Sequence, residues 1–64
     1  MRTRIGQVPA KSNTMYNVYW DSKNQEVWVE KPTIFGKGTF SKCSVKAETA
    51  QDAMHVASAF LHDR

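Results

Sequence analysis

The chain has little of what builds a catalytic or membrane-spanning protein. It has one cysteine, Cys43, in 64 residues, which excludes an internal disulfide and a cysteine-based zinc site. No stretch approaches the roughly 18 consecutive apolar residues of a membrane span. Residues 1–9 also lack the apolar run of a signal peptide. We therefore expect a reducing, intracellular location, by default the cytoplasm.

The residue types needed for catalysis or metal binding are few and badly spaced. His55 and His62 are seven residues apart, about 10 Å along a helix, which is too far for one metal ion. Cys43 is predicted on the core side of a strand, where a thiol packs as a small hydrophobic residue. A chain of this size has room for one small core and one binding surface. The prediction is a binding module that is not an enzyme and has no metal or cofactor.

Charge is distributed unevenly along the chain, although the net charge is only +3. Residues 1–14 hold three basic residues and no acid, whereas residues 15–64 hold six of each. Within the latter, residues 31–47 carry four lysines and no acid. Such separation can attract an anionic partner. We predict a flexible basic arm over residues 1–14, in which residues 4–8 could form a short edge strand, and one domain over residues 15–64.

The pattern from Met15 onward is that of a sheet. Residues 16–20 are rich in aromatic and branched side chains, and a run of turn-forming residues follows at 21–24. Residues 25–31 read as a second strand that Pro32 ends, because proline cannot donate to the ladder. Residues 39–47 read as a third strand after a loop.

A helix is predicted after the strands. Thr49 can accept a hydrogen bond from a free amide of the first turn, and Asp52 completes a capping-box-like pair. One apolar stripe follows at helical spacing: Ala50, Ala53, Met54, Ala57, Phe60 and Leu61. The predicted fold class is α+β, with a three-stranded antiparallel sheet packed on one C-terminal helix, in the order βββα.

One helix covers only one face of such a sheet, so the other face should be open. Alternation along the strands puts Tyr16, Val18, Trp20, Val27, Val29, Cys43, Val45 and Ala47 toward the helix. The same alternation puts Tyr19, Trp28, Lys42 and Lys46 on the open face, with Glu26 and Glu30 at its margin. Aromatic rings beside lysines suit nucleic acid or a protein partner. Equally, Tyr19 and Trp28 could be a cross-strand pair that only stabilises the hairpin, with Glu30 opposite a lysine.

Residues 17–21 (NVYWD), then Trp28, and later residues 47–53 (AETAQDA) resemble the plant ethylene-response-factor type of DNA-binding domain. They are also similar to the arm-binding domains of phage tyrosine recombinases. The resemblance implies a sheet that reads the major groove, with Trp20, Trp28, Lys42 and Lys46 as contacts. In contrast to those arginine-rich sheets, residues 15–63 contain no arginine. The pattern also resembles small phage-encoded inhibitor proteins.

Two binding functions are therefore predicted. In the first, Tyr19 and Trp28 pack against nucleic acid, with DNA favoured over RNA, and basic side chains meet phosphates. Those side chains are Lys31, Lys37, Lys42 and Lys46, with Arg2, Arg4 and Lys11 as a trailing clamp. In the alternative, a phage-type inhibitor or adaptor docks on a host protein or ribonucleoprotein, such as a polymerase or anti-phage immune machinery, through the same aromatic residues and Phe35. Ile34 and Phe35 are expected to fold back onto the core unless they grip a partner, and a homodimer is a further option.

Overall fold

The computed structural model describes residues 1–63 as an α+β fold, in which a four-stranded antiparallel sheet packs on one C-terminal helix. The strands follow one another in the sheet in chain order. The elements are β1 (Thr3–Pro9), β2 (Met15–Asp21), β3 (Glu26–Lys31), β4 (Thr39–Lys42) and α1 (Ala50–His62). The predicted class, the antiparallel sheet and the C-terminal helix are confirmed, but the predicted count of three strands is wrong.

The additional strand is β1, which lies in the segment predicted as a basic arm. It pairs with β2 over its whole length, with a register shift between Arg4 and Gly6. The shift lets Val8 reach the core while Arg4 points to the opposite face. At Gly6, β1 lies close to the helix, because a β-carbon there would lie 3.0 Å from the methyl carbon at the end of the Met54 side chain. Burial of Val8 and partial burial of Ile5 favour a fixed strand over a solvated tail.

Short turns join β1 to β2 and β2 to β3. In the first, Ala10 donates to the Thr14 carbonyl and Asn13 has φ 66°, a conformation that asparagine tolerates. In the second, the Asp21 carboxylate accepts the amides of Lys23 and Asn24 at 3.0 and 3.3 Å. These bonds are those of an Asx turn, which agrees with the run of turn-forming residues in the sequence.

Strand β4 is shorter than predicted. It ends at Lys42, and the chain then stays on the sheet through two backbone bonds, from Cys43 to Val27 and from Ala47 to Gln25. Cys43 and Ala47 are buried as predicted, but Val45 is 58% exposed. The prediction that Val45 faces the core is wrong, because the backbone between the two bonds does not keep a strand's alternation.

Helix α1 begins as the sequence predicts. The Thr49 hydroxyl oxygen accepts the Asp52 amide at 3.1 Å, which satisfies a free donor of the first turn. The helix buries Ala53, Ala57 and Leu61 against the valines of the sheet. Two of these three are alanines, so the helix axis lies close to the strands. In residues 1–63 no helix is long and apolar enough to cross a membrane.

Candidate binding face on the uncovered side of the sheet

The sheet surface that α1 leaves uncovered is here called the open face. Cross-strand register puts Arg4, Tyr19, Trp28 and Lys42 in one row and Gln7, Asn17, Glu30 and Phe40 in the next. Arg2 and Glu26 complete the open face at the end near the β2–β3 turn. The prediction that Tyr19 and Trp28 lie away from the helix is confirmed, and so is the inward orientation of Tyr16, Val18 and Trp20.

Three aromatic side chains form the centre of the open face. Tyr19 and Trp28 are direct cross-strand partners, as the alternative interpretation expected. Tyr19 also meets Phe40 edge-on, with ring centroids 5.1 Å apart and an interplanar angle of 61°. Edge-to-face pairs add about 0.5–1.5 kcal/mol beyond the burial of their area. The cluster is therefore a rigid platform, and Phe40, 37% exposed, is its most open ring.

Arg2 lies across this platform. Its guanidinium carbon is 4.4 Å from the centre of the Trp28 ring and 4.7 Å from that of Phe40. A guanidinium stacked on ring faces keeps its N–H groups, which lie in its own plane, available for other acceptors. The Trp28 indole N–H is buried and has no hydrogen-bond acceptor among residues 1–63.

Beside the aromatic platform lies a row of amide and guanidinium groups. The side-chain oxygen of Asn17 accepts the Arg4 Nε–H at 3.2 Å and the side-chain amide of Gln7 at 2.9 Å. The side-chain amide of Asn17 donates to Glu30 Oε1 at 3.0 Å, and the Tyr19 hydroxyl donates to the same oxygen at 3.3 Å. The network crosses three strands and fixes the side chains in one arrangement.

The two carboxylates of the open face are engaged within the protein. Glu26 pairs with Lys42 at 2.7 Å, and Glu30 accepts the hydrogen bonds of Asn17 and Tyr19. The sequence pattern predicted Glu30, not Glu26, opposite a lysine. Lys42 lies directly opposite Trp28 on β3 and pairs diagonally with Glu26 instead. Within residues 1–63, neither Arg2 nor Arg4 forms an ion pair. The open face therefore presents two guanidinium groups whose charge is not contacted by any carboxylate of residues 1–63.

Other residues predicted to bind lie elsewhere. Lys31 lines a cavity of about 400 Å³ with Tyr16 and Leu61, on the helix side of the sheet. Lys37 is exposed in the β3–β4 loop, and Lys46 is exposed in the segment between β4 and α1 rather than on a strand. Trp20, a contact by resemblance, instead faces the helix and donates to the Ala47 carbonyl at 3.0 Å. Lysines therefore contribute less to the open face than predicted.

The loop tip also departs from expectation. Ile34 and Phe35 were expected to fold back onto the core, but they are 93% and 87% exposed. The Thr33 hydroxyl donates to the Phe35 carbonyl at 2.7 Å, so the loop closes on its own backbone instead. The expectation was wrong because the loop satisfies its polar groups locally and holds its apolar tip outward.

Sequence reasoning missed several members of the open face. Gln7 and Asn17 were not singled out, and Arg2 and Arg4 were assigned to a trailing clamp rather than to the sheet surface. The alternation of residues 4–8 was the available signal for a fourth strand. Phe40 was overlooked although it shares the parity of Lys42 on the same strand.

The groups that could carry other chemistry are placed as follows. Cys43 is 3% exposed, and burial raises the pKa of its thiol to about 11, which disfavours the nucleophilic thiolate. The structure brings no three His, Cys, Asp or Glu side chains of residues 1–63 into a group that could hold a metal ion. Comparisons with known protein families, curated proteins and solved structures gave no match. The function is therefore inferred from the open face itself.

Proposed function

We propose that this protein is a non-enzymatic module that binds duplex DNA through the open face. The observation that carries the proposal is the position of Arg4, on β1, and of Arg2, just before β1, beside Tyr19 and Trp28. Arginine is the side chain best suited to a phosphate, because its planar N–H groups match two oxygens at once. Residues 15–63 supply no arginine, so β1 adds this chemistry to the sheet.

The polar row supports a role in contacting bases. Asparagine and glutamine can pair with adenine through two hydrogen bonds, and arginine with guanine. Asn17 on β2 is such a side chain, and Gln7 and Arg4 on β1 donate to its side-chain oxygen and hold it in place. The amide and guanidinium groups are held by one another, so a base edge would replace bonds that already exist.

The size of the sheet fits this use. The two central strands are about 4.8 Å apart, and the major groove, about 12 Å wide, admits a two-stranded ribbon. The central strands β2 and β3 would enter the groove, and β1 would lie at its wall near the phosphates. The ion pair with Lys42 offsets the charge of Glu26, whereas the hydrogen bonds of Asn17 and Tyr19 to Glu30 leave its negative charge in place.

The test is the salt dependence of binding to a fluorescently labelled mixed-sequence duplex, followed by anisotropy. If Arg2 and Arg4 each neutralise one phosphate, the plot of log affinity against log salt concentration should have a slope of about −2. Arg2→Gln and Arg4→Gln should each lower affinity and reduce the slope by about 1.

Lys23→Gln is the matched control, because it removes the same charge from the β2–β3 turn, away from the rows of the open face. It should leave the slope unchanged. Absence of binding at low salt, or equal effects of Arg4→Gln and Lys23→Gln, would refute the proposal. Single-stranded DNA and duplex RNA serve as competitors to establish the preferred nucleic acid.

A further inference from the structure

Apart from the terminal Met1, the most exposed large apolar side chains of residues 1–63 lie in the loop between β3 and β4. Ile34 and Phe35 are 93% and 87% exposed, and Gly36 has φ 71° at the turn that follows them. The Thr33 hydroxyl holds the tip closed through the carbonyls of Phe35 and Gly36 at 2.7 and 3.3 Å. A tip that is already shaped loses little conformational freedom when it binds.

A groove of about 510 Å³ lies between α1 and the segment that follows β4. Its floor and walls are mostly apolar, and Val45, 58% exposed, stands at its rim. The lining consists of Cys43, Ser44, Val45, His55, Val56, Ala59, Phe60 and Asp63. Grooves of this size hold small ligands or one or two side chains of a partner.

The loop tip and the groove complement each other in charge as well as in apolarity. Lys37 follows the tip, and residues 31–38 carry two lysines and no acid. The groove contains Asp63, and residues 48–64 carry three acids against one basic residue, Arg64. Opposite charge at the margins of an apolar contact favours one orientation and speeds association.

We propose that the groove receives the Ile34–Phe35 loop tip of a second copy of this chain. Both halves of the contact are present on each molecule, so two copies can exchange tips in a closed pair, or add in a chain if the geometry does not close. The contact is small compared with the 1,200–2,000 Å² of stable interfaces. Association is therefore expected in the micromolar to millimolar range.

Sedimentation equilibrium over a wide range of concentration tests the proposal. The wild-type chain should associate at high concentration, whereas Phe35→Ser and Val45→Asp should each be monomeric. A mixture of these two variants should associate again, because one supplies an intact groove and the other an intact tip. Met15→Ser is the control, since Met15 is an exposed apolar residue outside both surfaces (42%), and it should associate like the wild type.

A charge exchange tests the orientation. Lys37→Glu should weaken association, and adding Asp63→Lys to the same chain should restore it. Circular dichroism establishes that each variant is folded. The proposal is overturned if the wild type is monomeric at millimolar concentration, if Met15→Ser acts like Phe35→Ser, or if the variant mixture stays monomeric. Capture of a foreign protein by a monomeric wild type, abolished by Phe35→Ser, would assign the tip to that partner and overturn it too.

Discussion

At the scale of single residues, the two tryptophans differ in how their indole N–H groups are satisfied. Trp20 donates to the Ala47 carbonyl at 3.0 Å and thereby ties the segment after β4 to the sheet. Trp28 lies on the open face with its N–H buried and without an acceptor in residues 1–63. An unsatisfied buried donor costs about 1–3 kcal/mol, so Trp28 contributes to the open face through its ring and not through its N–H.

Replacing each tryptophan by phenylalanine should separate these roles. Trp20→Phe removes a donor and leaves the Ala47 carbonyl unpaired, so the free energy of unfolding should fall by about 2–3 kcal/mol. Trp28→Phe removes a donor that has no acceptor in the described part of the chain and keeps a ring under Arg2, so the loss should be about 1 kcal/mol or less. Urea unfolding measures both values. Equal losses would contradict the assignment.

Asp21 is the residue from which we expect a pH dependence. Burial raises its pKa, but the amides of Asn24 and Lys23, the Met1 amino group and the Asn24 side chain together hold the pKa below its ordinary value of 3.8. The folded state therefore favours the carboxylate. This contribution to stability is complete above the ordinary pKa and is lost as the pH falls through the lowered value in the folded state.

Asp21→Asn should remove that pH dependence while keeping an oxygen for the turn amides. The free energy of unfolding of the wild type should fall more steeply between pH 4 and pH 2 than that of the variant, as followed by thermal or urea unfolding. Asp63→Asn is a control, because Asp63 is exposed at the end of α1. Parallel curves for the wild type and Asp21→Asn would refute the role of Asp21.

At the scale of elements, local signals predicted β2, β3 and α1 well. The aromatic and branched run, the Asx-type turn and the Thr49 cap each act within a few residues. The packing of β1 against the core depends on a register shift after Arg4, which turns Val8 toward the core. After the shift Gly6 lies close to Met54 of the helix, and no local pattern encodes a proximity between such distant residues.

The end of β4 and the loop before it illustrate the same limit. The alternation of residues 43–47 predicted a strand, but Trp20 bonds to Ala47 from another strand and the backbone leaves the ladder at Lys42. The open face was predicted in its central rings, Tyr19 and Trp28, because these follow from parity alone. Its arginines could not be placed without the position of β1.

Gly38 gives a test of packing between elements. A β-carbon at this position would lie 2.5 Å from the Lys31 carbonyl oxygen and 2.7 Å from Glu30 Cγ, so a side chain would force β3 and the loop apart. Gly38→Ala should lower the free energy of unfolding by about 1–3 kcal/mol. Ser22→Ala, in an exposed turn, should change it by less than about 0.5 kcal/mol. Urea unfolding compares them, and a neutral Gly38→Ala would contradict the close approach.

At the scale of the whole molecule, the core is small. Its largest fully buried side chains are the valines Val18, Val27 and Val29, and the helix adds mainly alanine to the contact. Domains of this size bury a smaller share of their surface than larger ones and have modest stability. The polar network of the open face and the bond from Trp20 to Ala47 therefore matter for holding the sheet in one arrangement, on which the binding proposal depends.

Cys43 allows global opening of this small core to be measured. Its thiol is 3% exposed, and burial raises its pKa from 9.0 to about 11. At pH 8 that shift lowers the thiolate fraction about 100-fold, and burial further blocks access by a thiol reagent. Labelling should therefore be slow in the native protein and should accelerate with urea in parallel with the equilibrium population of the unfolded state, provided that refolding is faster than the reaction.

The result can be checked against a short unfolded peptide containing residues 40–46, which gives the intrinsic labelling rate. The ratio of the two rates then gives the free energy of opening, which should match that from urea unfolding if Cys43 becomes accessible only when the sheet and helix separate. A native rate close to that of the peptide, or one insensitive to urea, would show that the thiol is reached through the groove beside α1 without unfolding. Val45→Asp should leave the opening free energy almost unchanged, because Val45 is largely exposed and lies outside the core.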